Sequence, residues 1–223
     1  MSTLQTLDRG ITALFIVAGR PDGVPVAELA RELGIPRSNT YRIVATLAAH
    51  GLLSRADDGW VRLGASLPTL AGRYWPGFLA RVQPILQQLA DDAGATGFVS
   101  VAEGADCVVL LTTEPATPIL RVGYRPGSRH PLTEGAAGIA ILAGRPESPG
   151  DSEAVQAARR DGFSVTRGQL QPGAVGVAAP IHRTAGGGGL PESSIGIVAL
   201  EGFDAPAAAP LVVAAARTVA DLG

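Results

Sequence analysis

The chain has 223 residues, enough for two domains of ordinary size, and its 46% hydrophobic and 17% charged content is that of a globular protein, not a disordered one. No apolar run reaches the roughly 18 residues of a membrane span, the first residues lack the basic-then-apolar order of a secretory leader, and a lone Cys107 excludes a disulfide framework or a Cys-based zinc cluster; a cytoplasmic location is expected. The net charge of −2 conceals an asymmetry: residues 1–75 carry eight arginines against six acids and the remainder ten against fourteen, with no lysine anywhere, so every cationic side chain is a planar fork suited to phosphate or guanine.

Taken in chain order, residues 4–17 place apolar side chains at a helical period, with Leu7, Ile11, Leu14 and Phe15 among them. Residues 19–25, rich in glycine and proline, read as a turn. A short helix over 26–33 is predicted next, closed by Gly34. A second helix begins at Pro36, where a missing N–H costs nothing, and runs to about Ala49 with Thr40, Val44, Leu47 and Ala48 inward. Residues 52–55 and 60–63 flank an Asp57-Asp58-Gly59 turn and predict a hairpin. Two helical stretches between Ser66 and Ala93 are interrupted at Pro76-Gly77. The second carries a stripe of Phe78, Val82, Ile85, Leu86, Leu89 and Ala93, suited to a dimer seam and a lever between domains. Strands are expected at 97–102, 107–113, 119–123, 174–181 and 194–200, helices at about 134–143, 151–161 and 206–221, and a hairpin loop at the four glycines 186–189. Such a mixture implies an α+β unit with a mainly antiparallel sheet.

The most specific signal is the pair of helices spanning 26–50. A short helix, a glycine-containing turn and a second helix have helix-turn-helix spacing, in which the second helix enters the major groove N-terminus first. Its early outward positions are Arg37, Ser38, Asn39, Tyr41 and Arg42. Arginine can bracket guanine, asparagine can bracket adenine, and the hydroxyls can reach phosphate or a base edge. Arg42, one turn in, suits a backbone anchor. Arg55 and Arg62 flank the hairpin tip and suit phosphate contacts, whereas Asp57 and Asp58 at the tip oppose deep insertion. One helix offers too little surface for operator affinity, so a symmetric dimer is expected.

Competing chemistry finds less support. His50, His130 and His182 lack ligand spacing, Ser164 and Ser193-Ser194 lack a nucleophile context, and Cys107 lies in an apolar strand. The sequence therefore predicts neither an enzyme nor a bound metal or cofactor. A winged-helix protein–protein module with a vestigial sensor domain remains open as an alternative, and a small-molecule-processing enzyme behind it.

The run Leu7-Asp8-Arg9-Gly10, the segments Val26-Ala27-Glu28-Leu29-Ala30, Leu33-Gly34-Ile35-Pro36-Arg37-Ser38 and Tyr41-Arg42-Ile43-Val44, and Gly51-Leu52-Leu53 resemble the IclR family of bacterial regulators. So do Pro131-Leu132-Thr133 with Gly138, Gly162-Phe163, and Ala178-Ala179-Pro180-Ile181. The resemblance implies a winged helix-turn-helix over 1–65, a linker helix over 66–76 and a GAF-like effector domain over 77–223. It also implies a homodimer or homotetramer on an operator, and a small effector, carboxylate or aromatic. Aligned with that family, the effector pocket is lined by Ala136, Ala137, Thr166, Gly176, Ala199 and Glu201, with Arg167 beside it as a candidate carboxylate clamp. The family's Gly-Lys pair in the sensor helix is here Gly138-Ile139, a common Cys position is Gly176, and two common serine positions are Ala199 and Glu201. The departures imply a more apolar ligand or a vestigial pocket.

Overall fold

A computed structural model describes residues 4–56, 58–72, 77–116, 124–182 and 191–222. It divides into two compact units, residues 1–76 and 77–223.

The first unit contains α1 (Gln5–Ala18), β1 (Val24–Pro25), α2 (Val26–Glu32), α3 (Arg37–Ala49), β2 (Leu53–Arg55), β3 (Trp60–Leu63) and α4 (Leu67–Ala71). The inward faces of α1, α2 and α3 meet over Ala13, Val17, Leu29, Ile43 and Val44, closed below by Leu53 and Val61. Burying such side chains contributes about 1.5–3 kcal/mol each. Gly34 at φ +63° ends α2 as a left-handed cap, and Pro36 opens α3. The inward set on α3 is Thr40, Ile43 and Val44; Leu47 and Ala48 are only half-buried, Leu47 at the margin of the core. The predicted hairpin is present, but its sheet has a third strand. β1 pairs antiparallel with β3, giving the order β1-β3-β2. The glycine and proline content of 19–25 masked these two paired residues.

The second unit contains α5 (Phe78–Ala93), β4 (Thr96–Glu103), β5 (Asp106–Thr113), β6 (Arg129–Pro131), α6 (Gly135–Ala143), α7 (Glu153–Asp161), β7 (Ser164–Arg167), β8 (Ala174–Ile181), β9 (Ser193–Leu200) and α8 (Ala205–Ala220). Its sheet runs β6-β5-β4-β9-β8-β7, antiparallel at every pairing. Alternation along the strands separates the faces. Phe98, Ala178 and Val198 point to α6, whereas Gly97 abuts Leu86 of α5, and α8 packs with α5 and β8. The α5 stripe is thus occupied within its own unit. Val82, Leu86 and Leu89 are buried there, which corrects the expectation that this stripe forms a dimer seam. The edge strands β6 and β7, three and four residues long, were not predicted. The expected strand at 119–123 and the glycine loop at 186–189 lie outside the described residues.

Helix α6 is the apolar centre of this unit. A Cβ on Gly138 would overlap the Leu132 carbonyl oxygen, so only glycine lets the helix lie this close to the entering chain. Next to it, Ile139 packs with Ala143, Val155 and Ala158 between α6 and α7, a position in which a charged side chain would be buried. Ser164 Oγ donates to the Ala136 carbonyl (2.6 Å) and Ser194 Oγ to the Ala137 carbonyl (3.1 Å), so both serines tie the first turn of α6 to the sheet. No helix among the described residues is long and apolar enough to cross a membrane.

Candidate nucleic-acid interface and ligand cavity

Residues Arg37, Ser38, Asn39, Tyr41 and Arg42 are all exposed on one side of α3, opposite the buried Thr40, Ile43 and Val44. Among the described residues, neither Arg37 nor Arg42 is in an ion pair with an acid, and no acid occurs in the sequence between Glu32 and Asp57. No side chain caps the start of α3, and while the Asn39 N–H donates to the Pro36 carbonyl at 3.0 Å, the N–H groups of Arg37 and Ser38 are left for an outside acceptor. The guanidinium of Arg55 on β2 sits 5.0 Å from the centroid of the Tyr41 ring, which joins the hairpin to the α3 face in one surface. Tyr41 is 43% exposed, so its ring spans between α3 and Arg55 and is not a core residue. Arg62 is differently placed. It pairs with Asp58 at 3.5 Å and lies 6.0 Å from the Trp60 ring centroid, so its charge is partly neutralised within the hairpin. Asp57 lies outside the described residues.

In the second unit a cavity of about 50 Å³ lies between the start of α6 and the sheet. Ala136, Ala137, Thr166 and Gly176 line it, beside Phe98 and Tyr124. Ala199 and Glu201 are not among its lining residues. Val198 is, and strand alternation turns Ala199 to the opposite face, while Glu201 is exposed beyond the end of β9. Arg167 follows Thr166 on β7, is exposed, and likewise does not line the cavity. The roof comes from the β7–β8 loop, through Gln169, Leu170 and Gln171. A second hollow of about 220 Å³ under α7 shares Thr166 and Gln169 as its wall.

Phe98 and Tyr124 stack edge to face, with centroids 5.1 Å apart. Tyr124 Oη lies 3.0 Å from His130 Nε2, and His130 Nδ1 lies 3.0 Å from the Pro131 carbonyl. A carbonyl only accepts, so Nδ1 carries the hydrogen and the phenol donates to Nε2. Burial raises the Tyr124 phenol above its ordinary range and pushes the Cys107 thiol up to about 12, which leaves both protonated at neutral pH. His130 is thus a polar core residue, and Cys107 an inert one. Phe98, Val198 and the three roof residues were not expected from the sequence. Counting every second residue from Gly176 across the paired strands would have found the first two, since Gly176 pairs with Val198. Tyr124 and the roof have no such signal, because a loop obeys no period.

Residues 6–57 match the family model of the IclR helix-turn-helix domain. The chain is 28% identical over 143 residues to the acetate operon repressor of Salmonella typhimurium, covering 62% of this chain and 52% of that protein. It is likewise 28% identical over 144 residues to the transcriptional repressor IclR of Escherichia coli, covering 63% and 53%. The matched region thus spans about half the length of these curated relatives. Among solved structures, Thermotoga maritima IclR has a TM-score of 0.70 at 18% identity, covering 99% of both chains. An IclR homologue from Microbacterium hydrocarbonoxydans complexed with 4-hydroxybenzoate has a TM-score of 0.73 at 19% identity, covering 98% of this chain and 100% of the other. At these identities the structures establish the fold. Residues 6–57 are thus an IclR-type helix-turn-helix domain, and the chain as a whole is similar to IclR-family regulators in sequence over its matched region and in fold.

Proposed function

We propose that this chain is a ligand-responsive transcription regulator, with residues 1–65 binding operator DNA, 66–76 linking, and 77–223 sensing a small effector. The observation that carries the DNA reading is the α3 face. Arg37, Asn39 and Arg42 stand exposed and free of acidic partners around an uncapped helix N-terminus, which supplies the donors that phosphates and base edges accept. Ser38 and the Tyr41–Arg55 pair extend the same surface toward a flanking phosphate. Arg62, held by Asp58, has the smallest part. The relatives are named repressors, and the cavity beneath α6, with its aromatic wall, supports a sensor role for the second unit.

Fluorescence anisotropy with promoter fragments at low and moderate salt tests the first half. Binding that weakens steeply with salt is expected, because each neutralised phosphate releases counterions. Affinity that ignores salt would overturn the DNA reading and favour a protein–protein module.

A dimer is part of this proposal, and α1 supports it. Leu4, Leu7, Ile11 and Phe15 are 75%, 59%, 46% and 68% exposed. Leu7, Ile11 and Phe15, four residues apart, share one exposed face of the helix. A second copy is the occupant that a symmetric operator reader requires. The double change Leu7→Glu and Phe15→Glu should convert the protein to monomers in sedimentation while leaving its circular dichroism intact. An unchanged dimer would place the seam elsewhere.

A further inference from the structure

Gln169 places its side-chain carbonyl oxygen on the backbone N–H of Gly135 at 2.9 Å, at the mouth of the cavity under α6. Gly135 itself has φ +71°, and a Cβ there would stand 2.5 Å from Leu170 Cδ1, so the roof lies directly on its bare Cα. The roof is one residue thick. Residues 169–172 are exposed on their outer side, and Leu170 is 42% exposed although it covers the cavity. The hairpin closes at the Gly168 N–H to Ala174 carbonyl bond of 2.8 Å, between Gly168 at φ +66° and Gly173 at φ +76°. Glycines in this region move through backbone states that other residues resist.

The cavity is partly open, and its volume of about 50 Å³ is small. An engineered cavity that admits benzene measures roughly 150 Å³. A ring-sized ligand is therefore taken up whole only if the roof rises, and raising the roof breaks the Gln169–Gly135 bond.

From this juxtaposition we infer that Gln169 is a built-in stand-in for the ligand. An effector with an apolar body and an oxygen acceptor displaces the Gln169 carbonyl from the Gly135 N–H and lifts the loop 168–173 about its two glycines. The apolar body lies against Phe98 and Tyr124. Competition between side chain and ligand for one N–H makes Gln169 a determinant of affinity, and makes the loop's position report occupancy. The inference rests on the cavity being the sensor site.

The test titrates benzoate and benzamide, an anionic and a neutral acceptor on the same ring, into the full chain by calorimetry. Wild type, Gln169→Ala and Gly176→Ala are compared, each checked for fold by circular dichroism. The Gly176→Ala methyl would stand 3.2 Å from Ala136 Cβ and 3.4 Å from Thr166 Oγ1, shrinking the cavity without a backbone clash. The expected result is a probe that binds wild type, binds Gly176→Ala more weakly, and binds Gln169→Ala roughly three- to tenfold more tightly, the size of one hydrogen bond no longer competed for. Amide exchange at Gly135 should quicken in Gln169→Ala and slow again on binding. Binding that weakens in Gly176→Ala but fails to tighten in Gln169→Ala overturns the stand-in and leaves the sensor site in place. No binding of either probe, or binding indifferent to Gly176→Ala, overturns both. Whichever probe binds more tightly identifies the acceptor as anionic or neutral.

Discussion

Arg37→Ala and Asn39→Ala are each expected to lower affinity for a cognate operator by about 1–3 kcal/mol, with the loss confined to particular base pairs. Arg42→Ala should instead weaken binding to all sequences alike and reduce the salt slope by about one unit. The distinction follows from position. Arg37 and Asn39 lie in the first turn of α3, the end that enters the groove, while Arg42 lies in its second turn along the same exposed side. All three are exposed, away from the packing of Thr40, Ile43 and Val44, so the variants should retain wild-type thermal stability, and lost affinity can be assigned to lost contacts. Anisotropy titrations against a panel of single base-pair substitutions, repeated at several salt concentrations, read both effects. If Arg37→Ala and Asn39→Ala both left operator affinity intact, α3 would not be the reading helix.

The largest effect on stability is expected from Gly138→Val. Its Cβ would overlap the Leu132 carbonyl oxygen, which is backbone and cannot swing aside as a side-chain tip would. Forcing α6 away from Leu132 also pulls on the Ser164 and Ser194 hydrogen bonds to Ala136 and Ala137. The cost should be about 3 kcal/mol or more, the upper range for overpacking a filled core. In urea the transition of residues 77–223 should move to lower denaturant, while that of the helix-turn-helix unit stays in place, because the two units have separate cores. A single unshifted transition would mean that α6 can withdraw without loss. Because α6 also begins at the cavity, the same variant should abolish probe binding.

The helix-turn-helix unit was legible because its signals are local. A glycine after α2, a proline before α3 and a helical period decide which side chains are buried, and whatever remains on the other side of α3 must face outward. Arg37, Ser38, Asn39, Tyr41 and Arg42 therefore came from the sequence together. Two paired residues at β1 escaped, since a strand so short exists only because β3 lies beside it.

The cavity was legible only in part. Ala136, Ala137, Thr166 and Gly176 were found through resemblance to relatives; Ala199 and Glu201 were placed there too, but the register of β9 turns Val198 inward instead. A one-residue difference in register exchanges the two faces of a strand, and no composition or motif reports it. The α5 stripe carries the same message. Its apolar period is plain in the sequence, but whether it meets a second copy or its own sheet depends on what the fold brings alongside, and here Val82, Leu86 and Leu89 are covered by their own unit. The sequence alone determined which segments coil, which turn, and which helix presents arginine and asparagine to its surroundings, because backbone preference and helical period act within a few residues. Tertiary structure decided which side chains enclose the cavity, which charges are neutralised, as with Arg62 on Asp58, and that Gln169 reaches Gly135 across 34 positions. Such contacts join parts of the chain that no local preference connects.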